Sequence, residues 1–325
     1  MKSLISIRGL TKQFRLTHAL RGVDLEIPAG QVTAFLGPNG SGKTTTIKCA
    51  LNLHDRSGGE VEILGVDARR LGPEQLRRIG YVSENQEMPD WMTVPQLLDY
   101  CRPLYGDDWD RDFEKSLLAE FDLPTGTRLS NLSRGQRMKA ALLSSLAYRP
   151  ELVILDEPFS GLDPLVRQEF LDGLLELTER EGWTVWISSH DIEEVERLAD
   201  RVAILNQGKI DLTEDVSVLQ SRFREVEVVL EGDTEVGSDS NFPDHWLHLE
   251  KSGRRVQFVE SHFDAERTVR QIGEQFPGAA HHEIRPLSLR EIFVALARTY
   301  RLQGDRRPGE VTSGQEAHPS TATAS

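Results

Sequence analysis

The nine residues "GPNGSGKTT", 37–45, constrain this chain more than any other stretch. They match the phosphate-binding pattern G-x-x-x-x-G-K-[ST] and stand between an apolar run, "QVTAFLG", and a helical pattern. Glycines at these positions let backbone N–H groups converge on phosphate oxygens at the positive end of a helix. Lys43 then neutralises β and γ phosphates, and the Thr44 hydroxyl is offered to Mg²⁺. Gly37, Pro38, Asn39, Gly40, Ser41, Gly42, Lys43, Thr44 and Thr45 are therefore the expected nucleotide-binding residues. The plain alternative, a Gly-rich turn before a helix, does not explain why strand, pattern and helix coincide.

The rest of the chain fits an α/β setting for that loop. "LISIRGL", "GVDLEIP" and "QVTAFLG" read as short strands separated by turn signals. From 30 to 205 strands alternate with helical patterns, which predicts a largely parallel sheet built from "VTAFLG", "RIGYVS", "ELVILDE", "WTVWISSH" and "RVAILNQG". The stretch from "VPQLLDY" to "LLSSLAY" is too long for one crossover and predicts an inserted helical subdomain at about 87–150. After "GKIDLTEDVSVL" the pattern becomes strand, hairpin, helix, strand and helix, a small α/β domain over 222–302. The first domain then spans 1–218, and the apolar-poor tail, 303–325, is expected to be disordered.

Composition narrows the function. A net charge of −14 argues against sequence-blind nucleic-acid binding, which needs a broad basic face. Two cysteines, Cys49 and Cys101, make no disulfide framework and suit a reducing compartment as buried helix residues. No signal peptide is expected, and runs such as "LVIL" fall far short of the roughly 20 residues that cross a bilayer. A membrane role would come through a partner.

Two further motifs carry chemistry. "LVILDE", 152–157, is an apolar strand ending in two acids, and buried acids are costly without a partner such as a metal. Asp156 is expected to hold Mg²⁺ through water, and Glu157 to polarise the attacking water as general base. The plain alternative is a strand end with two solvated acids. In "LSRGQ", 132–136, Ser133 and Gln136 have capping-box spacing ahead of a helix, which is compatible with phosphate binding by the same N–H groups.

Taken together, residues 3–215 resemble the nucleotide-binding subunit of an ATP-binding cassette (ABC) transporter. The resemblance rests on the phosphate loop, "LSRGQ", "ILDEP" at 154–158, "SGLD" at 160–163 and "SSH" at 188–190, in the family's order. It implies a P-loop NTPase fold: a RecA-like core with an N-terminal antiparallel β subdomain and an inserted helical subdomain, here followed by the small C-terminal α/β domain. It also implies two copies head-to-tail, with ATP and Mg²⁺ between the phosphate loop of one and the signature of the other, and a separate integral membrane permease. By position, Ser133, Gly135 and Gln136 form the signature that meets the opposite subunit's nucleotide. Asp163 crosses the interface, and His190 contacts the γ-phosphate and positions the water. Phe14, in "LTKQF", falls where the family stacks an aromatic on adenine; a small core aromatic is the alternative. The run "RPLSLREIFVALAR" resembles the end of subunits from the type-two exporter branch.

The chain departs from the family at two points. Arg134 replaces the first glycine of Leu-Ser-Gly-Gly-Gln, either adding charge across the interface or lying solvated beside it. Glu84 stands where the family has a glutamine that senses metal and water, so it is expected to ligate Mg²⁺, with Gln86 as the alternative. Met88, Trp91 and Met92 follow, either lining the groove that receives a permease helix or packing inside the helical subdomain. His281, His282, His245 and His248 are expected to be surface residues without acids nearby. The resemblance implies an ATPase at the cytoplasmic face of the membrane that energises a permease for export. Two other classes stay open: a soluble ABC-type ATPase of nucleic-acid or ribosome processes, which usually carries two cassettes or long insertions, and a metabolic kinase, in which "LSRGQ" and "SGLD" would have no role.

Overall fold

A computed structural model describes residues 2–231 and 242–304. The chain divides into two compact units, Met1–Ser221 and Arg222–Ser325.

The first unit opens with strands β1 (Ser3–Phe14) and β2 (Thr17–Pro28), a hairpin whose turn puts Arg15 at φ 48°. β3 (Val32–Leu36) leads through the phosphate loop into helix α1 (Lys43–Ala50). β4 (Gly58–Ile63) and β5 (Val66–Asp67) follow, then a single helical turn, α2 (Pro73–Leu76), and β6 (Ile79–Ser83). β4 pairs with β1, giving an antiparallel sheet in the order β2-β1-β4-β5. The alternation expected from residue 30 onward misses this pair, because β4 and β5 leave the central sheet to complete the first one. Gly59 makes the approach possible: at φ +85°, a Cβ there would lie 2.4 Å from the Gly9 carbonyl oxygen.

Three helices come next: α3 (Val94–Tyr105), α4 (Arg111–Phe121) and α5 (Arg134–Leu146). Each begins at a polar cap, with Asp110 accepting from the Asp112 and Phe113 N–H groups as one example. β7 (Leu152–Asp156), α6 (Pro164–Glu181), β8 (Thr184–Ser189), β9 (Arg201–Asn206), β10 (Lys209–Asp215) and α7 (Val216–Arg222), whose last residue is the first of the second unit, complete the unit. α6 starts on an Asp163 cap with Pro164 in its first turn and stops at Gly182, φ +65°. The central sheet runs β10-β9-β3-β8-β7-β6, parallel except for β10. β3, β7 and β8 are buried at every position, as expected of parallel strands covered on both faces. This is the P-loop NTPase fold with an antiparallel β subdomain.

The second unit contains β11 (Arg224–Leu230), β12 (Trp246–Ser252), β13 (Arg255–Glu260), α8 (Ala265–Gln275), β14 (Ala279–Pro286) and α9 (Leu289–Gly304). Its antiparallel sheet has the order β12-β13-β11-β14, around a core of Val226, Val228, Trp246, Phe258, Ile272 and Phe276. α9 runs on to Gly304, so the boundary expected at 303 moves by two residues; the rest of the tail, expected to be disordered, lies outside the described residues. Among the described residues no helix is long and apolar enough to cross a membrane.

Candidate active site

Sheet register builds the site. Parallel pairing sets Ser83 beside Asp156, Asp156 beside Ser188, and Leu36 beside Ser189. The ends of β6, β7, β8 and β3 thus deliver Glu84, Glu157, His190 and the phosphate loop to one edge, where parallel sheets bind ligands.

The loop needs its glycines. Gly42 sits at φ +114°, and a Cβ there would meet Leu20 Cδ2 at 2.7 Å and the Ala19 carbonyl oxygen at 3.0 Å. Pro38, Asn39 and Gly40 are exposed, Thr45 is half-buried, and Lys43 is buried. Lys43 Nζ donates to the Gly37 carbonyl at 2.7 Å and lies 3.0 Å from Glu157 Oε1. The buried Ser41 Oγ has no hydrogen-bond partner among the described residues. A loop with an inward ammonium, an unpartnered buried hydroxyl and glycines at its turns fits a nucleotide's phosphates.

Thr44 Oγ1 donates to Asp156 Oδ1 at 3.1 Å, and Ser188 Oγ donates to the same oxygen at 2.7 Å. Burial pushes the Asp156 carboxyl above its ordinary range, and the two hydroxyls only partly pull it back. A buried carboxylate beside a hydroxyl is an oxygen donor set suited to Mg²⁺. Glu157 has φ 54°, an uncommon conformation for a residue with a Cβ, and its N–H donates to Ser188 Oγ at 3.0 Å. Its two carboxylate oxygens are divided between Lys43 and His190, whose Nδ1 lies 2.7 Å from Oε2.

Ser133 and Gln136 form the expected capping box. The Ser133 N–H donates to Gln136 Oε1 at 3.0 Å, and the Gln136 N–H donates to Ser133 Oγ at 3.2 Å. The Ser133 hydroxyl proton is not used in that box. Gly135 is held for packing as well: a Cβ there would lie 2.5 Å from Val166 Cγ1 on α6. Asp163 accepts from the Val166 N–H at 3.1 Å as the cap of α6.

Some placements differ from expectation. Arg134 is neither free in solvent nor unengaged within its own chain: its Nη2 donates to Glu84 Oε1 at 2.7 Å. Ser160 Oγ donates to that oxygen at 2.7 Å, while the Glu84 N–H donates to the Asp156 carbonyl at 2.9 Å. Gln86 turns back, its Oε1 accepting from the Ser83 N–H at 3.4 Å. Met92 is buried, whereas Trp91 is 67% exposed and Met88 half-buried, so the three do not share one surface. Phe14 is 41% exposed, with His54 edge-on at 5.7 Å, and is no core aromatic. Cys49 is buried in α1, but Cys101 in α3 is only half-buried. His281 is exposed, and the half-buried His248 bonds the Ala295 carbonyl at 2.7 Å. His245, also half-buried, lies 3.5 Å from the buried Glu260, so an acid is nearby after all. Among the described residues no group of three or more His, Cys, Asp or Glu is placed to hold a metal.

Sequence reasoning passed over Ser188, although it opens "SSH"; its register with Asp156 is the signal. It also missed Glu194 and Arg167. Glu194 is buried, accepts from Ser189 Oγ and lies 3.2 Å from Arg167 Nη1, linking the segment after His190 to the first turns of α6.

Fold and site together define a phosphate-loop NTPase. A family model described as ABC transporter matches residues 20–160. The chain is 34% identical over 222 residues to an aliphatic sulfonates import ATP-binding protein of Agrobacterium fabrum, covering 68% of this chain and 83% of that one. It is 38% identical over 215 residues to a sulfate/thiosulfate import ATP-binding protein of Xylella fastidiosa, covering 64% of this chain but only 62% of that relative's length. A solved ATP-binding subunit of an ABC transporter superposes with a TM-score of 0.60 at 25% identity, over 67% of this chain and 92% of that one. The chain belongs to the ATP-binding subunits of ABC transporters.

Proposed function

We propose that this chain hydrolyses ATP as one half of a head-to-tail dimer and so energises a separate membrane permease from the cytoplasmic face. The observation that carries the reading is the convergence of Lys43, Glu157, His190 and the Thr44–Asp156 pair on one sheet edge beside the glycine loop. Family membership supports ATP as substrate and Mg²⁺ as cofactor.

In this reading Lys43 leaves the Gly37 carbonyl and Glu157 for the β and γ phosphates. Thr44 and Asp156 would hold Mg²⁺, which would supply positive charge against that of the phosphates. Glu157, released by Lys43, takes a proton from the attacking water, with His190 keeping that water and the γ-phosphate aligned. Phe14 offers an exposed face to adenine. Ser133, with its hydroxyl proton unspent in the capping box, donates to the γ-phosphate on the other subunit. Gly135 and Gln136 hold that serine at the helix start, and Asp163 completes the interface.

Direction is a separate matter. "RPLSLREIFVALAR" alone favours export, and the import names of both relatives speak against it. The reading therefore commits to energising transport and leaves direction to a transport assay with the permease. The test of the reading itself is Mg²⁺-dependent ATP hydrolysis by the purified chain that Lys43→Ala abolishes, and recovery in membranes only when the permease is co-expressed. Equal turnover by Lys43→Ala would overturn it.

A further inference from the structure

The loop that begins at Glu84 is bound to the signature segment of the same chain at four points. Glu84 Oε1 accepts from Arg134 Nη2 at 2.7 Å, and Asp90 Oδ1 accepts from Arg137 Nη1 at 2.8 Å. The Leu129 N–H donates to the Met92 carbonyl at 2.7 Å, and the Ser130 N–H donates to the Asp90 carbonyl at 3.1 Å. Two arginines one helical turn apart thus tie the start of α5 to both ends of one loop.

Arg134 is an odd residue for its place. It lies in the first turn of α5, where the helix dipole disfavours a cation. Glu84 supplies the missing negative charge. Room for the guanidinium comes from Gly161, φ +67°, where a Cβ would lie 2.3 Å from Arg134 Nη1. Ser160, the residue before it, closes the group by donating to Glu84 Oε1.

We propose that Arg134 and Glu84 are paired positioning residues, a tether in cis that makes the Glu84 loop and the Ser133 signature move as one body. The proposal rests on the head-to-tail dimer described above. There the end of β6 faces the chain's own ATP and Ser133 faces the partner's, so the tether connects the two sites. Glu84 then acts through Arg134 and not as a ligand of Mg²⁺. The side chains are 49% and 30% exposed, and exposed pairs add little to stability. The tether's effect is therefore on geometry at the dimer interface and not on folding.

The experiment is a double-mutant cycle on ATP hydrolysis with wild type, Glu84→Gln, Arg134→Gln and the double variant. For each, kcat, KM for ATP and the Mg²⁺ concentration for half-activity are measured. The tether predicts that each single change lowers kcat about tenfold, and that the double variant is no worse than the poorer single. KM should stay within about twofold, since neither residue belongs to the phosphate loop. Arg134→Lys should recover most of the rate, and melting temperatures should move by no more than about 3 °C. Single losses that multiply to about a hundredfold in the double variant would overturn the tether, because the residues would then act independently. So would a Mg²⁺ requirement raised severalfold by Glu84→Gln and not by Arg134→Gln, which marks a metal ligand. A wild-type chain without ATP turnover removes the dimer reading and the tether together, whereas an active one with multiplicative losses removes the tether alone.

Discussion

Lys43 Nζ lies 3.0 Å from Glu157 Oε1, so the residue proposed to bind phosphate grips the residue proposed to activate water. Both side chains are largely buried, so in the proposed function a phosphate would compete with Glu157 for this ammonium. Removing the carboxylate's charge should ease that exchange. Glu157→Gln is expected to bind ATP about three- to tenfold more tightly than wild type, a gain of order 1 kcal/mol. Titration calorimetry in EDTA, where no turnover occurs, is the check. Weaker binding by the variant would show that the pair does not compete with phosphate.

Asp156 carries the cost of a buried carboxylate whose two observed hydroxyl partners meet at one oxygen, Oδ1. Asp156→Asn keeps that acceptor and removes the charge. Without nucleotide or Mg²⁺ the variant should melt about 2–4 °C higher, since burial of the charged form disfavours the native state. Its Mg²⁺-dependent hydrolysis should be lost. A lower melting temperature would mean that the charge is satisfied by groups other than Thr44 and Ser188.

Gly42 tests the loop's conformation. At φ +114°, with Leu20 Cδ2 2.7 Å from an added Cβ, Gly42→Ala brings backbone strain of about 1–3 kcal/mol and a steric clash. ATP affinity should fall at least tenfold while the far side of the sheet stays folded, as read by nucleotide titration beside circular dichroism. Gly173→Ala on α6, where a Cβ meets nothing within 4 Å, is the matched control and should bind normally.

Most of this site could be read in the sequence because its parts are local. The phosphate loop, the acids after "LVIL" and the capping spacing of Ser133 and Gln136 each occupy a few consecutive residues. What could not be read depends on pairings across distance. Arg134 and Glu84 are 50 residues apart, and their contact follows from how α5 sits against the end of β6. β4 escaped because its six residues join β1 and not the sheet that the surrounding alternation suggests. Trp91 and Met92 are adjacent yet differ in burial: Trp91 is exposed and Met92 is buried, in a segment whose Met92 carbonyl accepts from the Leu129 N–H. Glu194 is one of four acids in "DIEEVER" and is set apart only by the Ser189 and Arg167 contacts that the fold brings to it.

A site shared between two chains predicts complementation. In the proposed dimer, Lys43→Ala takes the phosphate contact from one chain, and Ser133→Arg spoils the signature of the other. Each variant alone should be nearly inactive. Mixed, they form heterodimers with one composite site in which both halves are wild type, so activity should return to a sizeable fraction of the wild-type rate. Mixtures in which heterodimers are demonstrated by tagged co-purification and yet stay inactive would place Ser133 outside the partner's site.

Whether Glu157 is the base of an ATP site closed by a second copy is decided by one chromatographic measurement. Glu157→Gln and wild type are run on size exclusion with and without ATP and Mg²⁺, and turnover is assayed on the same samples. Turnover in the variant should drop by about a hundredfold or more, as expected for loss of a general base. The variant alone should shift to twice the monomer mass, and only with ATP. Near-normal hydrolysis by Glu157→Gln, or a variant that remains monomeric with ATP bound, would contradict that role.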